Sequence, residues 1–118
     1  MGTALICDDD AVFAGLIRRV LVTEGGAGVG AVSMAADAID FARVVHPDVV
    51  VMDISLAGLS GIEAIPALRE AGCMVVICTA FGSASDSALR TGAAAVVDKA
   101  EVVTLPDVLV ALRAKART

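Results

Sequence analysis

The amino-acid sequence predicts an α/β fold, in which a five-stranded parallel sheet is covered by helices on both faces. Short runs rich in Val, Ile and Ala alternate with longer segments whose apolar residues recur at helical spacing. The short runs do not alternate with polar residues, which is typical of strands buried on both faces. The 118 residues contain no internal repeat and no long flexible linker, so we expect one domain over residues 1–118.

Each predicted strand is followed by a helical segment, which gives a (βα)₅ order. The strands are residues 3–7, 28–32, 48–52, 74–78 and 93–97. Crossovers between parallel strands are right-handed, so the carboxyl ends of all strands lie along one edge of the sheet. We expect the flavodoxin-like strand order 2-1-3-4-5, in which ligands bind at that edge where the order reverses.

The first helical segment covers residues 11–24. Gly25 and Gly26 are expected to end it, because glycine readily adopts the backbone conformation that follows a helix. Apolar residues at helical spacing predict the face that packs on the sheet. This predicted face consists of Val12, Leu16, Ile17, Val20 and Leu21.

The next two helical segments carry their own boundary signals. Residues 34–46 end before Pro47, because proline disfavours helical geometry in the residue before it. Residues 60–71 begin at Ser60, which lies three residues before a glutamate in the spacing of a capping box. This third segment is expected to end at Gly72.

The last two helical segments differ in strength. Residues 82–88 have weak helix propensity and are predicted to be the mobile element. The final helix is predicted to use Thr104 as its N-cap, followed by Asp107 in the first turn. Its C-terminal Lys115 and Arg117 suit the helix dipole.

Composition narrows the function classes. The net charge of −5 argues against unaided binding to nucleic acid or anionic lipid. No apolar run approaches the roughly 18–20 residues that span a bilayer, and no signal peptide is recognised, so a cytoplasmic location is expected. Cys7, Cys73 and Cys78 lack the paired spacing of zinc or redox motifs, which predicts buried reduced thiols.

Polar residues follow four of the five predicted strands. They are Asp8–Asp10 after the first strand, Asp53 after the third, Thr79 after the fourth and Lys99 after the fifth. Carboxylates that share one pocket raise one another's pKa unless a positive charge joins them. Mg²⁺, with Mn²⁺ as an alternative, prefers such oxygen ligands and serves phosphoryl transfer.

Each of these residues has a plainer interpretation when it is taken alone. One aspartate among residues 8–10 could cap the first helix. Asp53 could belong to a turn, Thr79 could cap a strand end, and Lys99 could be a solvated charge. Their joint placement at one edge of the sheet is what favours a functional site.

In this order and spacing the residues resemble the receiver domain of bacterial two-component response regulators, over nearly the whole chain. The matching segments are Ala4–Asp10, Pro47–Asp53, Val76–Ala80 and Gly92–Lys99. The resemblance implies a phosphoacceptor that assists its own phosphorylation and dephosphorylation without acting as an enzyme on a separate metabolite. It also implies that Asp53 accepts the phosphoryl group.

The resemblance further implies a metal site and a set of partners. Asp9 and Asp53 would bind Mg²⁺ directly, Asp8 would act through water, and the backbone carbonyl of Ser55 would complete the protein ligands. The phosphoryl donor would be a phosphohistidine of a sensor histidine kinase or phosphotransfer protein. An effector domain beyond residue 118 and a homodimer are left open, and no binding of nucleic acid or membrane by this domain is expected.

The resemblance assigns the phosphoryl group two further contacts. Thr79 would move to hydrogen-bond it, and Lys99 would pair with it as a point charge.

Four positions bear on how this chain departs from or adjusts the family pattern. Valine stands at Val96 in place of an aromatic residue, which puts the usual readout in doubt. Alanine replaces proline at Ala57 and at Ala100, and the second change removes the common cis peptide after the lysine and is expected to loosen its approach. Phe81 is expected to shield the phosphoryl group from water and to lengthen its lifetime.

Two other functions remain as alternatives. A receiver-like interaction module that works without phosphorylation is made plausible by Val96, Ala57 and Ala100. The intact set of site residues argues against it, namely Asp8, Asp9, Asp53, Thr79 and Lys99. A small phosphatase of the haloacid dehalogenase type also uses Asp, Lys and a metal. That family places its aspartates after the first strand, whereas Asp53 follows the third strand here, and 118 residues leave no room for a cap domain.

Overall fold

The computed structural model describes residues 3–23, 28–56, 58–80 and 85–116. The strands are β1 (Ala4–Cys7), β2 (Val29–Val32), β3 (Val49–Met52), β4 (Met74–Thr79) and β5 (Ala95–Asp98). All neighbours are parallel, and the strand order is β2-β1-β3-β4-β5. The predicted fold class and strand order are therefore confirmed, and no predicted strand end is displaced by more than two residues.

Helices cover both faces of this sheet. They are α1 (Ala11–Thr23), α2 (Ala35–Val45), α3 (Gly61–Glu70), α4 (Ser85–Thr91) and α5 (Leu105–Ala116), and a 3₁₀ helix over Lys99–Thr104 joins β5 to α5. Helices α2, α3 and α4 pack on one face, and α1 and α5 pack on the other. This is the doubly wound arrangement that right-handed crossovers produce.

The buried side chains form one cluster on each face. In β1, Leu5 and Cys7 belong to the first core cluster, under α2, α3 and α4, whereas Ala4 and Ile6 belong to the second core cluster, under α1 and α5. Successive strand residues point to opposite faces, so both kinds of position must be apolar. This explains why the central strands show no polar alternation.

The predicted apolar face of α1 is wrong in two of its five members. Val12 is 85% exposed and Leu16 is 41% exposed, while Ala14 and Ile17 are buried against the sheet together with Leu21. A helix turns about 100° per residue, which places Val12 and Leu16 nearly half a turn away from Ala14.

The caps of α2 and α3 follow the sequence signals. His46 follows α2 in the left-handed region with φ of 53°, directly before Pro47, so the helix ends where proline requires. Ser60 Oγ accepts a hydrogen bond from the Glu63 amide at 3.2 Å. At the other end of α3, Gly72 has φ of 89° and closes the helix as a glycine C-cap.

The predicted N-cap of α5 is wrong. The Thr104 hydroxyl donates to the carbonyl of Glu101 at 2.7 Å, at the end of the 3₁₀ helix that runs straight into α5. The residue that caps this helical segment is Asp98, whose carboxylate accepts from the Ala100 amide at 2.9 Å. A 3₁₀ turn supplies the first bonds of α5, and a side-chain cap at residue 104 is not needed.

Several sequence predictions lie outside the described residues. They concern Gly25, Gly26, Ala57, Phe81, the segment 82–84 and Arg117. The described part of the fourth helix begins at Ser85. Among the described residues, no helix has the length and apolar character that crossing a membrane requires.

Candidate functional site

The acidic residues predicted at the strand ends come together. Cys7 lies opposite Met52 in the sheet register, so Asp8 and Asp53 leave neighbouring strands at the same level. Ligand oxygens of Asp8, Asp9 and Asp53 all lie within 4.8 Å of one another. Asp8 and Asp53 are only 4% and 6% exposed, whereas Asp9 is open to solvent.

Lys99 supplies the positive charge of this cluster. Its Nζ donates a hydrogen bond to Asp53 Oδ2 at 3.1 Å and forms an ion pair with Asp8 Oδ2 at 3.0 Å. Burial lowers the pKa of Lys99, but its contacts with these two carboxylates outweigh burial, so the pKa lies above its usual value. The ammonium is therefore charged throughout the neutral range. The loosened approach expected from Ala100 stays a prediction.

Backbone amides orient the two buried carboxylates. The Asp10 amide donates to Asp8 Oδ1 at 2.9 Å, and the Ser55 amide makes a longer contact of 3.4 Å with Asp53 Oδ1. The Asp53 amide donates to the carbonyl of Cys7 at 3.0 Å, which ties the two strand ends together. One oxygen of each carboxylate is thus turned to the backbone and the other toward Lys99.

Asp10 performs the plainer role weighed for this aspartate run. Its Oδ1 accepts from the amides of Val12 at 3.0 Å and Phe13 at 3.2 Å, so it caps the N-terminus of α1. The cap uses one of the three aspartates. Asp8 and Asp9 remain for the acidic cluster.

Two residues of the site were missed by the sequence analysis. The Phe13 ring lies beneath Lys99, with 4.5 Å between Nζ and the ring centroid. A Cβ at Gly61 would overlap the carbonyl oxygen of Asp53, so only glycine lets α3 begin against this strand end. In the sequence, the glycine directly after the predicted N-cap Ser60 could have indicated this close approach. No local pattern pointed to Phe13.

Thr79 lies where it was predicted, at the carboxyl end of β4. It is 1% exposed and stands opposite Asp98 of β5, directly before Lys99 in the chain. Ser55 is exposed in the loop after β3, next to the acidic cluster. The proposed roles of the Thr79 hydroxyl and the Ser55 carbonyl remain predictions.

The donor chemistry of this cluster suits a hard divalent cation. Asp8 Oδ2 is buried and has no partner of good hydrogen-bond geometry, since its contact with Lys99 is an ion pair alone. Three carboxylates face one ammonium, which leaves an excess of negative charge. In phosphoryl-transfer sites Mg²⁺ is commonly held by one or two carboxylates together with waters and phosphate oxygens, and this cluster supplies those carboxylates. The residues present therefore fit a metal ion.

Thiol chemistry can be set apart from this site. Burial, followed by the charge of Asp8, raises the pKa of Cys7 from 9.0 to about 12. Burial likewise raises the pKa of Cys78 to about 11. Cys7, Cys73 and Cys78 are all buried and free, as predicted. Neutral thiols are poor nucleophiles, so the cysteines are not the reactive groups of this pocket.

The departures from the family pattern that fall within the described residues have simple structural settings. Val96 is half-buried and packs against the first core cluster. Ala100 is exposed at the start of the 3₁₀ helix, and the described residues contain no cis peptide bond.

The chain belongs to the family of the response regulator receiver domain, which it matches over residues 4–109. The transcriptional regulatory protein DesR of Bacillus subtilis is 34% identical over 82 residues, which make up 69% of this chain and 41% of DesR. The chemotaxis protein CheY of the same organism is 31% identical over 83 residues, or 69% of each chain. This chain therefore spans less than half of DesR and about two thirds of CheY.

Solved structures agree with the fold. The CheY-like receiver domain protein from Methanospirillum hungatei JF-1 has a TM-score of 0.84 and 22% identity, and the match covers 99% of this chain and 98% of that one. A two-component response regulator of the LuxR family from Aurantimonas sp. SI85-9A1 has a TM-score of 0.79 and 28% identity, covering 94% and 86%. By its family and by its fold, this chain is a receiver domain of two-component response regulators.

Proposed function

We propose that this receiver domain is a phosphorylation switch in which Asp53 accepts a phosphoryl group from a phosphohistidine. The carrying observation is the position of Asp53, which is buried beside a second carboxylate and in hydrogen-bond contact with Lys99. A buried carboxylate with a cation in contact with it can act as a nucleophile toward phosphorus, since the cation neutralises charge on the transferred group. The donor would be a sensor histidine kinase or a phosphotransfer protein.

The transfer has a simple balance of bonds. A carboxylate oxygen of Asp53 forms a bond to phosphorus while the bond between phosphorus and the donor imidazole breaks. The electron pair of that bond returns to the imidazole nitrogen. The product is an acyl phosphate on Asp53, which carries more negative charge than the carboxylate it replaces.

Mg²⁺ is proposed as the metal of this site, held by Asp9 and Asp53, by Asp8 through water, and by the Ser55 carbonyl. When bound, it neutralises charge on the oxygens of the transferred group. The excess of carboxylates over ammonium groups supports a divalent ion here. Manganese has the same preference for oxygen ligands and is expected to substitute.

Lys99 and Thr79 are proposed to recognise the product. The ammonium of Lys99 would move from Asp53 Oδ2 to a phosphoryl oxygen, which lies within reach because the side chain already contacts that carboxylate. Thr79 would donate its hydroxyl to another phosphoryl oxygen from the end of β4. Movement of Thr79 would then be felt at the neighbouring β5, where Val96 replaces the usual aromatic residue.

The domain is proposed to be a phosphoacceptor that assists its own phosphorylation and dephosphorylation, and not an enzyme acting on separate substrates. Any effector domain, DNA contact or homodimer would belong to regions or surfaces outside this site. A cytoplasmic setting is proposed because histidine-kinase donors use ATP.

The test is intact mass after incubation with acetyl phosphate and Mg²⁺. The wild-type chain should gain one phosphoryl group, and the gain should disappear when Mg²⁺ is chelated. Asp53→Asn should show no gain, while Asp48→Asn is a matched control at an exposed aspartate and should behave as wild type. A folded wild-type chain that gains nothing from several small phosphodonors would contradict the proposal and favour a module that works without phosphorylation.

A further inference from the structure

Phosphorylation of Asp53 leaves two contacts of Lys99 in place, the ion pair with Asp8 and the face of the Phe13 ring. The ammonium of Lys99 touches Asp8, Asp53 and the Phe13 ring. If Asp53 becomes an acyl phosphate, the contact with its Oδ2 must be exchanged for a contact with the phosphoryl group. The ring lies beneath the ammonium before that exchange and takes no part in it.

The backbone of Phe13 is fixed by the helix cap, and its ring is held by apolar packing. The Phe13 amide donates to Asp10 Oδ1, which caps α1 immediately after β1. The side chain is half-buried and packs against the second core cluster. Lys99, in contrast, has four rotatable bonds and is 19% exposed. A fixed aromatic face beside a flexible cation restricts the cation.

From this geometry we infer that Phe13 is a positioning residue for phosphoryl transfer, which keeps the ammonium of Lys99 at the site while it moves from Asp53 to the incoming phosphoryl oxygens. The inference rests on the proposed function. A cation over a ring face is attracted by the ring quadrupole and is not bound to one lone pair. The ammonium can therefore pivot above the ring without leaving it, which a carboxylate partner in a fixed hydrogen bond does not allow.

The alternative role for Phe13 is apolar packing alone. Packing depends on the volume of the side chain, whereas attraction to a cation depends on the charge distribution of the ring. Fluorine atoms on the ring weaken the quadrupole with little change in size. A series of mono-, di- and trifluorinated phenylalanines at residue 13 therefore separates the two roles.

The experiment measures the rate of phosphorylation by acetyl phosphate at saturating Mg²⁺, using intact mass. Phe13→Leu is expected to slow the reaction about 3- to 10-fold, because an ammonium that the ring no longer holds at the site is less often placed against the incoming phosphoryl oxygens. Phe13→Trp should retain or exceed the wild-type rate. The fluorinated series should slow progressively with the number of fluorines, while its urea midpoints fall by less than that of Phe13→Leu, because the packing of the ring is kept. Val12→Ala, at the exposed neighbouring residue, is the control.

A second readout reports the contact itself. The chain has two lysines, Lys99 and Lys115, so labelling lysine with ¹³C at Cε gives two signals. The ring current of Phe13 should shift the Lys99 Hε resonance upfield, and the shift should vanish in Phe13→Leu while Lys115 serves as internal reference.

The outcomes distinguish this inference from the proposed function. If the wild type is phosphorylated but the fluorinated series has a flat rate, Phe13 only fills space and the inference is wrong while the function stands. If the wild type gains no phosphoryl group at all, the proposed function is wrong and the positioning role is lost with it. A graded rate together with an upfield Lys99 signal supports the inference.

Discussion

Removal of the Lys99 charge tests the electrostatic balance of the site. In Lys99→Met the length of the side chain is nearly kept, but two carboxylates lose their cation. The two Nζ–Oδ2 distances are 3.0 and 3.1 Å. At an effective dielectric constant of about 20, each such pair has a gross attraction of about 5.5 kcal/mol, most of which is offset by desolvation.

The net effect is smaller than the gross attraction. Breaking a buried pair costs about 3–5 kcal/mol, and the 19% exposure of Lys99 lets water partly replace it, so we expect a loss of about 2–4 kcal/mol in the free energy of unfolding. Mg²⁺ should reduce the difference in the free energy of unfolding between wild type and Lys99→Met, because a divalent ion supplies the missing positive charge. If Lys99→Met binds Mg²⁺ tenfold more tightly than wild type does, the difference in the free energy of unfolding decreases by about 1.4 kcal/mol at saturating Mg²⁺.

Urea unfolding with and without Mg²⁺ measures the loss of stability and its dependence on the ion. Far-ultraviolet circular dichroism is the probe, because the chain has no Trp or Tyr for fluorescence. Lys115→Met, at an exposed residue in the last turn of α5, is the matched control and should lower stability by no more than about 1 kcal/mol, equally with and without the ion. A gap between wild type and Lys99→Met that is the same in Mg²⁺ and in chelator would refute this account, as would equal stability of the two proteins without metal.

Three further predictions follow from other contacts. Gly61→Ala should lower the free energy of unfolding by about 1–3 kcal/mol, because the new Cβ must displace the Asp53 carbonyl. Gly15→Ala, on the open side of α1, is the control and should be tolerated. Thermal melts of both variants check this. Asp10→Ala should cost about 0.5–2 kcal/mol through loss of the α1 cap, with Asp10→Ser restoring much of it in the same melts. Burial raises the pKa of Cys78 from 9.0 to about 11, so the folded state keeps a proton that the unfolded state loses, and the associated stability should be complete below pH 9 and lost as the pH rises toward 11. Between pH 9 and pH 11 the urea midpoint of Cys78→Ala should fall less steeply with pH than that of wild type. Equal slopes for the two proteins would count against a raised pKa of Cys78.

The sequence was sufficient for the fold and for most of the acidic site. Apolar runs without polar alternation located the buried strands, and the handedness of crossovers placed their carboxyl ends along one edge. These rules depend on local composition and chain chirality, both of which are legible in a single sequence. For the same reason, polar residues directly after strands, such as Asp53 and Thr79, were recognisable before any contact was known.

Local rules were weaker where two elements compete for one surface. The apolar residues Val12 and Leu16 follow helical spacing as well as Ile17 does, but only the docked helix shows which stripe meets the sheet. Thr104 has the composition of an N-cap, yet the 3₁₀ helix before it already satisfies the start of α5. In each case the preference of a segment was overridden by its neighbours.

Contacts between distant parts of the chain were decided by tertiary structure alone. Lys99 reaches Asp8 and Asp53 across gaps of 91 and 46 residues because β5, β1 and β3 belong to one sheet. Phe13 meets Lys99 because α1 and the 3₁₀ helix lie on the same face, and nothing in the spacing of either segment encodes that meeting. The sequence alone determined which groups stand at the functional edge, whereas the packing of helices on the sheet decided which of them touch, since side-chain contacts depend on distances that only the folded chain defines.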